Sequence, residues 1–349
     1  MNKLMKAAAV AGLALASLTA CSTAQTQQPT PTECKLNLGM VTDVGGIDDK
    51  SFNEGTYTGL VRYANDNGLG KDCYKYLQSA ADADYIPNLS QFAEEKLDLI
   101  VAPGFLFAES MATVADQFPD SKFVIIDSVV EKPNVASAVF AEQEPSYLVG
   151  IAAAMKAKEA GKDTVGYIGG MDFDVIQRFE AGFEEGVASV DPSIKVLVDY
   201  ANSFTDSTIG GQLAQKQFNA GAYVVFHAAG ATGNGLIAEA KARREAGEDV
   251  WAIGVDVDQY EAGKMADGKS AILTSALKRV DVASYTFIEK VAKGTFTSET
   301  ILFNAQNDGI GIPAENPNLS KEISDAVNAA LAKIKSGEIV VGVTPARLK

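Results

Sequence analysis

From residue 36 onward, the chain alternates between short apolar, β-branched runs and longer stretches that carry apolar residues on one helical face. The short runs predict strands, and the longer stretches predict helices. The predicted strands cover residues 36–42, 74–78, 97–102, 122–127, 135–140, 164–168, 194–200, 223–228, 250–255 and 271–275. The predicted helices cover residues 51–65, 86–95, 107–117, 146–159, 175–188, 207–219 and 232–246.

This alternation indicates an α/β fold built around parallel sheets. Continuous apolar sequence, such as Phe-Val-Ile-Ile at 123–126, is typical of strands buried on both faces of a doubly wound sheet. The sequence Gly-Gly-Ile-Asp at 45–48, after the first strand, resembles Gly-Gly-Met-Asp at 169–172, after the sixth. We therefore expect two similar halves, each with a Gly-rich turn that faces a ligand cleft.

The length of 349 residues also favours two domains, because a single hydrophobic core stops growing below this size. We assign residues 36–141 to a first lobe and residues 142–254 to a second lobe. Residues from about 255 to 295 are expected to return to the first lobe, and those from about 296 to 349 to the second. Two lobes joined by several crossovers would form a hinged cleft.

Residues 1–20 have the pattern of a signal peptide, with Lys3 and Lys6 before an apolar run at 7–18. This run is shorter than the roughly 20 residues that span a bilayer, which argues against a permanent transmembrane helix. The sequence Leu-Thr-Ala-Cys at 18–21 resembles a bacterial lipobox, in which Cys21 is lipidated and becomes the mature N-terminus. The alternative is an ordinary secretory cleavage site with an accidental cysteine.

A lipidated Cys21 would anchor the protein to the extracytoplasmic face of the cell membrane. Residues 22–32 contain only Ser, Thr, Ala, Gln and Pro, so residues 21–33 are predicted to form a lipidated cysteine and a disordered tether. Cys34 and Cys73 then remain as an even pair in an oxidising compartment. A disulfide between them is predicted, and two free buried thiols are the alternative.

The charge and the residue counts exclude several classes of function. A net charge of −15 at pH 7 argues against a nucleic-acid partner, because phosphate binding needs a basic surface. His227 is the only histidine, so soft ligands are too few for a transition-metal site, and we expect neither a metal nor a cofactor. The glycine-rich sequence at 230–235 lacks the Lys-Ser or Lys-Thr of a phosphate-binding loop. We expect His227 to be a core residue.

The segment 39–53, Gly-Met-Val-Thr-Asp-Val-Gly-Gly-Ile-Asp-Asp-Lys-Ser-Phe-Asn, closely resembles the opening strand and turn of the basic membrane protein family. That family includes the purine nucleoside receptor lipoproteins of spirochaetes. Further matches follow in the family's order at 125–127, 140–150, 202–206, 227–233, 254–256 and 274–278. The resemblance implies a type I periplasmic-binding-protein fold, in which two Rossmann-like lobes enclose a hinged cleft.

The family resemblance also implies a receptor without catalytic activity that delivers a nucleoside to an ABC-type importer. Its partners would be the nucleoside ligand and a membrane permease with a cytoplasmic ATPase, and we expect a monomer. The family's ligand residues carry over onto Asp43, Phe52, Asn53, Asp127, Phe204, Gly230, Asp256 and Lys278. Each of these positions falls at or just beyond the carboxyl end of a predicted strand, where open α/β sheets bind ligands.

In this interpretation, Phe52 and Phe204 sandwich the base from opposite lobes, since nucleobases stack well on aromatic rings. Asp127 and Asp256 are suited to the ribose, because a carboxylate accepts hydrogen bonds from vicinal hydroxyls. Lys278 can donate to ribose oxygens and offset the charge of Asp256.

The remaining candidates serve the base edge and the backbone. Asp43 and Asn53 suit the base edge, and Gly230 would let backbone N–H groups approach a hydroxyl closely. Without the resemblance, a phenylalanine here would be read as a core aromatic and an aspartate at a strand end as a helix cap or turn residue. For Asp49, we prefer the capping role.

Three charged residues are assigned to the region between the lobes. Arg178 is expected to form an interdomain salt bridge, while Glu142 and Glu144 suit hinge or capping duties. Three other functions remain open: a sugar-binding receptor of the same fold, a sensor that signals to a membrane protein, and a nucleoside hydrolase. A hydrolase would use a carboxylate cluster, often with Ca²⁺, to stabilise its transition state.

Overall fold

The computed structural model describes residues 34–349 as alternating strands and helices. The strands are β1 Leu38–Val41, β2 Tyr74–Leu77, β3 Leu99–Pro103, β4 Phe123–Ile126, β5 Val135–Phe140, β6 Thr164–Gly169, β7 Lys195–Tyr200, β8 Val224–Ala228, β9 Trp251–Asp256, β10 Ile272–Lys278, β11 Thr300–Phe303 and β12 Ile310–Gly311. The helices are α1 Phe52–Asp66, α2 Tyr85–Glu94, α3 Ala108–Gln117, α4 Gln143–Glu159, α5 Asp174–Val190, α6 Ser207–Asn219, α7 Gly233–Glu245, α8 Val280–Ala292 and α9 Lys321–Ser336. Residues 1–33 lie outside the described range, and with them the predicted signal peptide, the tether and Cys21.

The strands form two six-stranded sheets, one in each lobe. The first sheet has the order β11-β5-β4-β3-β1-β2, and the second has the order β12-β10-β9-β8-β6-β7. All neighbours are parallel except β10 and β12, which are antiparallel. From β1 to β5 and from β6 to β10 the strand order is the same, so the predicted two-lobed α/β architecture is confirmed.

Burial on both faces explains why the central strands are continuously apolar. In β4, every residue is buried, and successive side chains point to opposite faces. Phe123 and Ile125 pack into the cluster that contains Phe92 and Met111 of α2 and α3, whereas Val124 packs into the cluster on the other side. Helices therefore cover both faces, as a doubly wound sheet requires.

The chain crosses between the lobes three times, at residues 141–142, at Arg279 and at residues 304–309. Strand β10 lies in the second sheet beside β9, although residues 255–295 were expected to return to the first lobe. Strand β11 lies in the first sheet beside β5, although residues 296–349 were expected in the second lobe. The rest of each segment lies where it was expected, because α8 packs against α1 in the first lobe, and β12 and α9 belong to the second lobe. An apolar run predicts a strand but not its neighbour, because pairing depends on contacts that are remote in sequence.

The predicted disulfide between Cys34 and Cys73 is confirmed, with the two Cα atoms 5.4 Å apart. It forms because β1 and β2 are parallel neighbours with Leu38 opposite Tyr74, so the residues that precede the two strands lie close together. Within residues 34–349, none of the helices combines the length and the apolar character needed to cross a membrane.

Candidate functional site

A cleft lies between the carboxyl ends of the strands of the two sheets. Its empty space amounts to about 570 Å³, including the part that opens to solvent. All eight residues predicted for the ligand site line it, namely Asp43, Phe52, Asn53, Asp127, Phe204, Gly230, Asp256 and Lys278. The structure therefore brings together every predicted position from both lobes.

The first turn of the first lobe is held by one side-chain amide. Asn53 donates from Nδ2 to Asp43 Oδ1 at 2.7 Å and to Asp49 Oδ2 at 2.9 Å. Its Oδ1 accepts the backbone N–H of Asp43 at 3.1 Å. The Asp49 carboxylate accepts the backbone N–H groups of Ser51, Asn53 and Glu54, which is the predicted capping role at the start of α1. This network fixes the backbone from which Phe52 projects.

Burial changes the acidity of the carboxyl groups in the cleft. It raises the pKa of Asp43 to about 6, although hydrogen bonds from Asn53 and Gly45 act in the opposite direction. Burial likewise raises the pKa of Asp256 to about 6, although the charge of Lys278 opposes this shift. Both groups thus titrate close to neutral pH, because the folded protein disfavours their charged forms.

One ammonium group lies between two carboxylates from opposite lobes. Lys278, at the end of β10, is only 2% exposed and donates from Nζ to Asp127 Oδ2. The distance from Nζ to Asp256 Oδ1 is 3.8 Å. Burial alone would lower the pKa of Lys278, but the charges of Asp127 and Asp256 outweigh it and raise the pKa. The ammonium therefore stays charged and links the two lobes.

Asp127 keeps one acceptor that the protein does not use. Its Oδ2 is paired with Lys278, whereas its Oδ1 is buried without a hydrogen-bond partner among the described residues. A buried carboxylate oxygen without a donor is costly, so such an atom in a binding cleft marks a position for a ligand donor.

Aromatic rings enter the cleft from both lobes. The Lys278 Nζ atom lies 4.5 Å from the centre of the Phe52 ring. The Phe204 ring packs over Gly170, where any Cβ atom would lie 2.2 Å from Phe204 Cε1. Phe105 of the first lobe approaches Phe204 with ring centres 6.2 Å apart. Rings from both lobes therefore line the cleft.

Several lining residues were not predicted from the sequence. Phe105 follows Gly104 directly after β3, so the strand-end rule that selected the other positions also applies to it. Val175, Ile176 and Phe179 lie on α5, and their apolar spacing does not separate them from ordinary core residues. A contact with the cleft is therefore not encoded in their local pattern.

The Gly230 backbone is close to the Phe204 carbonyl. Gly230 has φ +53°, and a Cβ atom there would lie 3.3 Å from Phe204 O, so a side chain would be strained.

His227 is buried and its Nε2 lies 3.0 Å from Gln259 Oε1. Burial lowers the pKa of His227 to about 4, which keeps the ring neutral at physiological pH. His227 is not among the residues that line the cleft within the described chain.

Charged side chains also connect the interlobe crossovers to neighbouring helices. Arg178 Nε donates to Glu142 Oε2 at 2.6 Å, so the predicted salt bridge of Arg178 joins α5 to the first crossover. Glu144, in the first turn of α4, accepts the backbone N–H of Ala305 through Oε2 at 2.8 Å and thereby joins α4 to the third crossover. Burial raises the pKa of Glu142, and the nearby charge of Asp127 adds to this effect. Both glutamates thus contact residues at or beside the crossovers, and their hinge role stays a prediction.

The cleft offers carboxylates, one ammonium group, an amide and aromatic rings. These groups suit a polar solute with a flat ring and several hydrogen-bond donors. Within residues 34–349, no group of three or more His, Cys, Asp or Glu side chains is arranged to hold a metal ion.

Comparison with known proteins gives consistent matches over most of the chain. The sequence model of the family described as ABC transporter substrate-binding protein PnrA-like matches residues 36–344. The chain is 39% identical over 320 residues to a CD4+ T-cell-stimulating antigen of Listeria monocytogenes, covering 89% of each chain. It is 37% identical over 347 residues to the ABC transporter nucleoside-binding protein BmpA of Lactococcus lactis, covering 95% of this chain and 97% of the other.

A solved structure of an ABC transporter solute-binding protein from Aeropyrum pernix superposes with a TM-score of 0.77 at 28% identity. The superposition covers 89% of this chain and 94% of the other. The predicted type I periplasmic-binding-protein fold and the resemblance to the basic membrane protein family are thereby confirmed. Members of this family bind a solute for an ABC transporter and are not catalytic. The chain belongs to the PnrA-like family of ABC transporter substrate-binding proteins.

Proposed function

We propose that the cleft binds a purine nucleoside and that the lipid-anchored protein delivers it to an ABC permease. The observation that carries this proposal is the buried Asp127 Oδ1, which lacks a hydrogen-bond donor in a cleft that also contains Phe52 and Phe204. A nucleoside offers both complements, because its ribose hydroxyls are donors and its base is a flat aromatic ring.

The base would lie between Phe52 of the first lobe and Phe204 of the second. Stacking of a base on an aromatic side chain contributes about 1 to 3 kcal/mol, and it requires only a π face. Because the two rings belong to different lobes, the ligand itself would stabilise the closed arrangement of the lobes.

The ribose would lie against Asp127, Asp256 and Lys278. Asp127 Oδ1 accepts one hydroxyl, and the ammonium of Lys278 can donate to a ribose oxygen. Charge-assisted hydrogen bonds of this kind contribute about 1.5 to 3 kcal/mol each. A ribose hydroxyl therefore satisfies Asp127 Oδ1, which is otherwise buried without a partner among the described residues.

The base edge would meet Asp43 and Asn53. With a pKa of about 6, Asp43 can act as an acceptor when ionised or as a donor when protonated. The Asn53 amide holds that carboxyl group in position through a 2.7 Å hydrogen bond. The match to a relative named as nucleoside-binding, BmpA of Lactococcus lactis, supports the same class of ligand.

The ligand is tested by mass spectrometry of small molecules released from protein purified without denaturation. Titration calorimetry with adenosine, inosine, guanosine and cytidine then follows, and glucose and ribose serve as the sugar controls. We expect micromolar or tighter binding of a purine nucleoside and no comparable binding of either sugar. Sugar binding without nucleoside binding would refute the nucleoside and favour the sugar receptor.

Delivery from the membrane rests on the lipobox sequence at 18–21. Lipidation of Cys21 predicts that the protein partitions with membranes and that a Cys21→Ser variant is released from them. Membrane fractionation of cells that express each form measures this. Equal release of both forms would refute the anchor but not the nucleoside site.

A further inference from the structure

Three side chains, those of Ser51, Asn234 and Gln259, form direct hydrogen bonds between residues 49–51 of the first lobe and the second lobe. Ser51 Oγ donates to Asp256 Oδ2 at 2.5 Å. Gln259 Nε2 donates to the Lys50 carbonyl at 2.9 Å, and Asn234 Nδ2 donates to the Asp49 carbonyl at 3.1 Å. All three contacts therefore meet one short loop at the start of α1.

The second-lobe partners fix the orientation of Gln259. Its Oε1 accepts the Val255 N–H at 2.9 Å, which identifies Nε2 as the donor end of the amide. His227 Nε2 lies 3.0 Å from the same oxygen and so acts as a donor. The Gln259 backbone N–H donates to Ser275 Oγ at 3.1 Å. With its other groups occupied inside the second lobe, the Gln259 side chain directs its Nε2 donor to the first lobe.

The first-lobe acceptors, the carbonyl groups of Asp49 and Lys50, are also held in a defined position. Lys50 has φ +61°, a conformation that is uncommon for a residue with a side chain. The Asp49 carboxylate holds the following N–H groups of Ser51, Asn53 and Glu54. The carbonyls of Asp49 and Lys50 are therefore presented from a rigid turn, and this turn leads directly into Phe52.

Neither Gln259 nor Asn234 is among the described residues that line the cleft. Both side chains reach the other lobe without reaching the solute site. We propose that Gln259 and Asn234 form an interlobe latch that stabilises the closed arrangement and raises solute affinity without contact with the solute. This proposal concerns how the site is closed, and it rests on the proposed function only where a nucleoside is used to measure affinity.

The physical basis is the population of the closed arrangement. When only a fraction of molecules is competent to bind, the observed dissociation constant rises in inverse proportion to that fraction. Bonds that exist only when the lobes meet increase the closed fraction, and they slow release more than they change encounter with the solute. Gln259 and Asn234 are thus positioning residues for capture.

Two variants weaken the latch, and Asn234→Ala does so without a new buried charge. Gln259→Glu keeps an acceptor for the Val255 N–H but turns an oxygen toward the Lys50 carbonyl. Asn234→Ala removes only the donor to the Asp49 carbonyl. The matched control is Asn219→Ala, which removes a side chain that accepts a hydrogen bond from Arg243 within the second lobe.

With a purine nucleoside as the probe, we expect the dissociation constant to rise about three- to tenfold in each latch variant. The dissociation rate should account for most of this increase. The control variant should bind like the unaltered protein. Unchanged affinity in both latch variants, with unchanged thermal unfolding, would overturn the proposed effect on affinity.

A second measurement does not depend on any ligand. Spin labels on Glu109→Cys and Thr208→Cys, in a full chain that also carries Cys21→Ser, report the distance between exposed positions in the two lobes. Pulsed EPR on the ligand-free protein should show longer distances in the latch variants than in the labelled parent and the Asn219→Ala control. Identical distance distributions would overturn the latch. If the distances lengthen but no nucleoside binds, the latch stands and only the proposed ligand fails.

Discussion

Asp127 and Asp256 occupy equivalent positions in the two lobes, at the ends of β4 and β9, and both have φ +66°. Left-handed backbone is uncommon outside glycine, although aspartate tolerates it better than most residues. Such strain collects at functional sites, where the surrounding structure holds it in place. Here it brings two carboxylates from different lobes to the same ammonium group, that of Lys278.

These two carboxylates should contribute most of the polar binding energy. Asn keeps the size of Asp and also tolerates left-handed backbone, so Asp127→Asn and Asp256→Asn test charge rather than shape. We expect each to weaken nucleoside binding about 10- to 100-fold, because a charge-assisted hydrogen bond contributes about 1.5 to 3 kcal/mol. Calorimetry measures the change, with the exposed Asp120→Asn as control. Parent-like affinity in both variants would exclude the carboxylates from the site.

The rings of Phe52 and Phe204 provide a separate test of stacking. Phe52→Ala and Phe204→Ala should each reduce the affinity for a nucleoside about 5- to 150-fold, the equivalent of about 1 to 3 kcal/mol of stacking. Phe52→Leu keeps apolar volume without a π face. It should therefore recover less than half of the binding free energy that Phe52→Ala loses. Circular dichroism checks that each variant is folded. Full affinity in both alanine variants would rule out the sandwich.

Replacement of Lys278 should lower the stability of the folded protein by more than the loss of one exposed charge would. Lys278→Met leaves the carboxylates of Asp127 and Asp256 buried without a cation, which costs about 3 to 5 kcal/mol. The double variant Lys278→Met/Asp127→Asn removes one of the two stranded charges and should recover part of that loss. Urea unfolding measures all three proteins. If Lys278→Met is as stable as the parent, the ammonium of Lys278 does not neutralise the carboxylates of Asp127 and Asp256.

The raised pKa values predict how stability changes with pH. The pKa of Asp43 is about 6 in the folded protein and 3.8 without burial. The folded state therefore binds more protons between pH 4 and 6, so the free energy of unfolding falls as pH rises through this window. The fall is about 3 kcal/mol for one such group. Urea unfolding at pH 5 and pH 7 measures the part of this fall that lies between those two values, about 1 kcal/mol for one such group.

One variant, Asp256→Asn, separates the contributions to this pH dependence. Asp256, whose pKa is also raised to about 6, should behave in the same way, so Asp256→Asn should reduce the fall between pH 5 and 7. His227 acts in the opposite direction, because its pKa is lowered to about 4 and its protonation destabilises the folded state as pH falls. If the free energy of unfolding falls by the same amount between pH 5 and 7 in Asp256→Asn as in the parent, the raised pKa of Asp256 is contradicted.

The disulfide should stabilise the first lobe against unfolding without changing the affinity of the cleft for its solute. Cys34 and Cys73 are 39 residues apart, and closing a loop of this length stabilises the folded state by about 4 kcal/mol in the chain-entropy account. Cys73→Ala in the full chain should lower the unfolding midpoint by several degrees. Nucleoside affinity at 25 °C should stay within about twofold, because neither cysteine lines the cleft. A large loss of affinity would link the disulfide to the site.

The sequence by itself determined the alternation of strands and helices, the two-lobed α/β class and the disulfide pair. It also identified eight positions that line the cleft, because strand ends are visible in the pattern and the family motifs lie on them. The helix α8, the strands β11 and β12, and the helix α9 were not predicted individually. Strands β11 and β12 are only four and two residues long, too short to show a period. Helix α9, by contrast, buries Ile323, Val327 and Ile334 at helical spacing between Ser320 and Gly337, so its sequence did carry a signal for a helix.

The tertiary structure alone decided which lobe each late strand joins, since hydrogen bonding between β10 and β9 or between β11 and β5 links residues distant in sequence. It also decided that the ammonium of Lys278 lies between carboxylates of both lobes, and that Gln259 reaches the Lys50 carbonyl. Local sequence reports propensity and periodicity, whereas these contacts depend on how the two lobes meet.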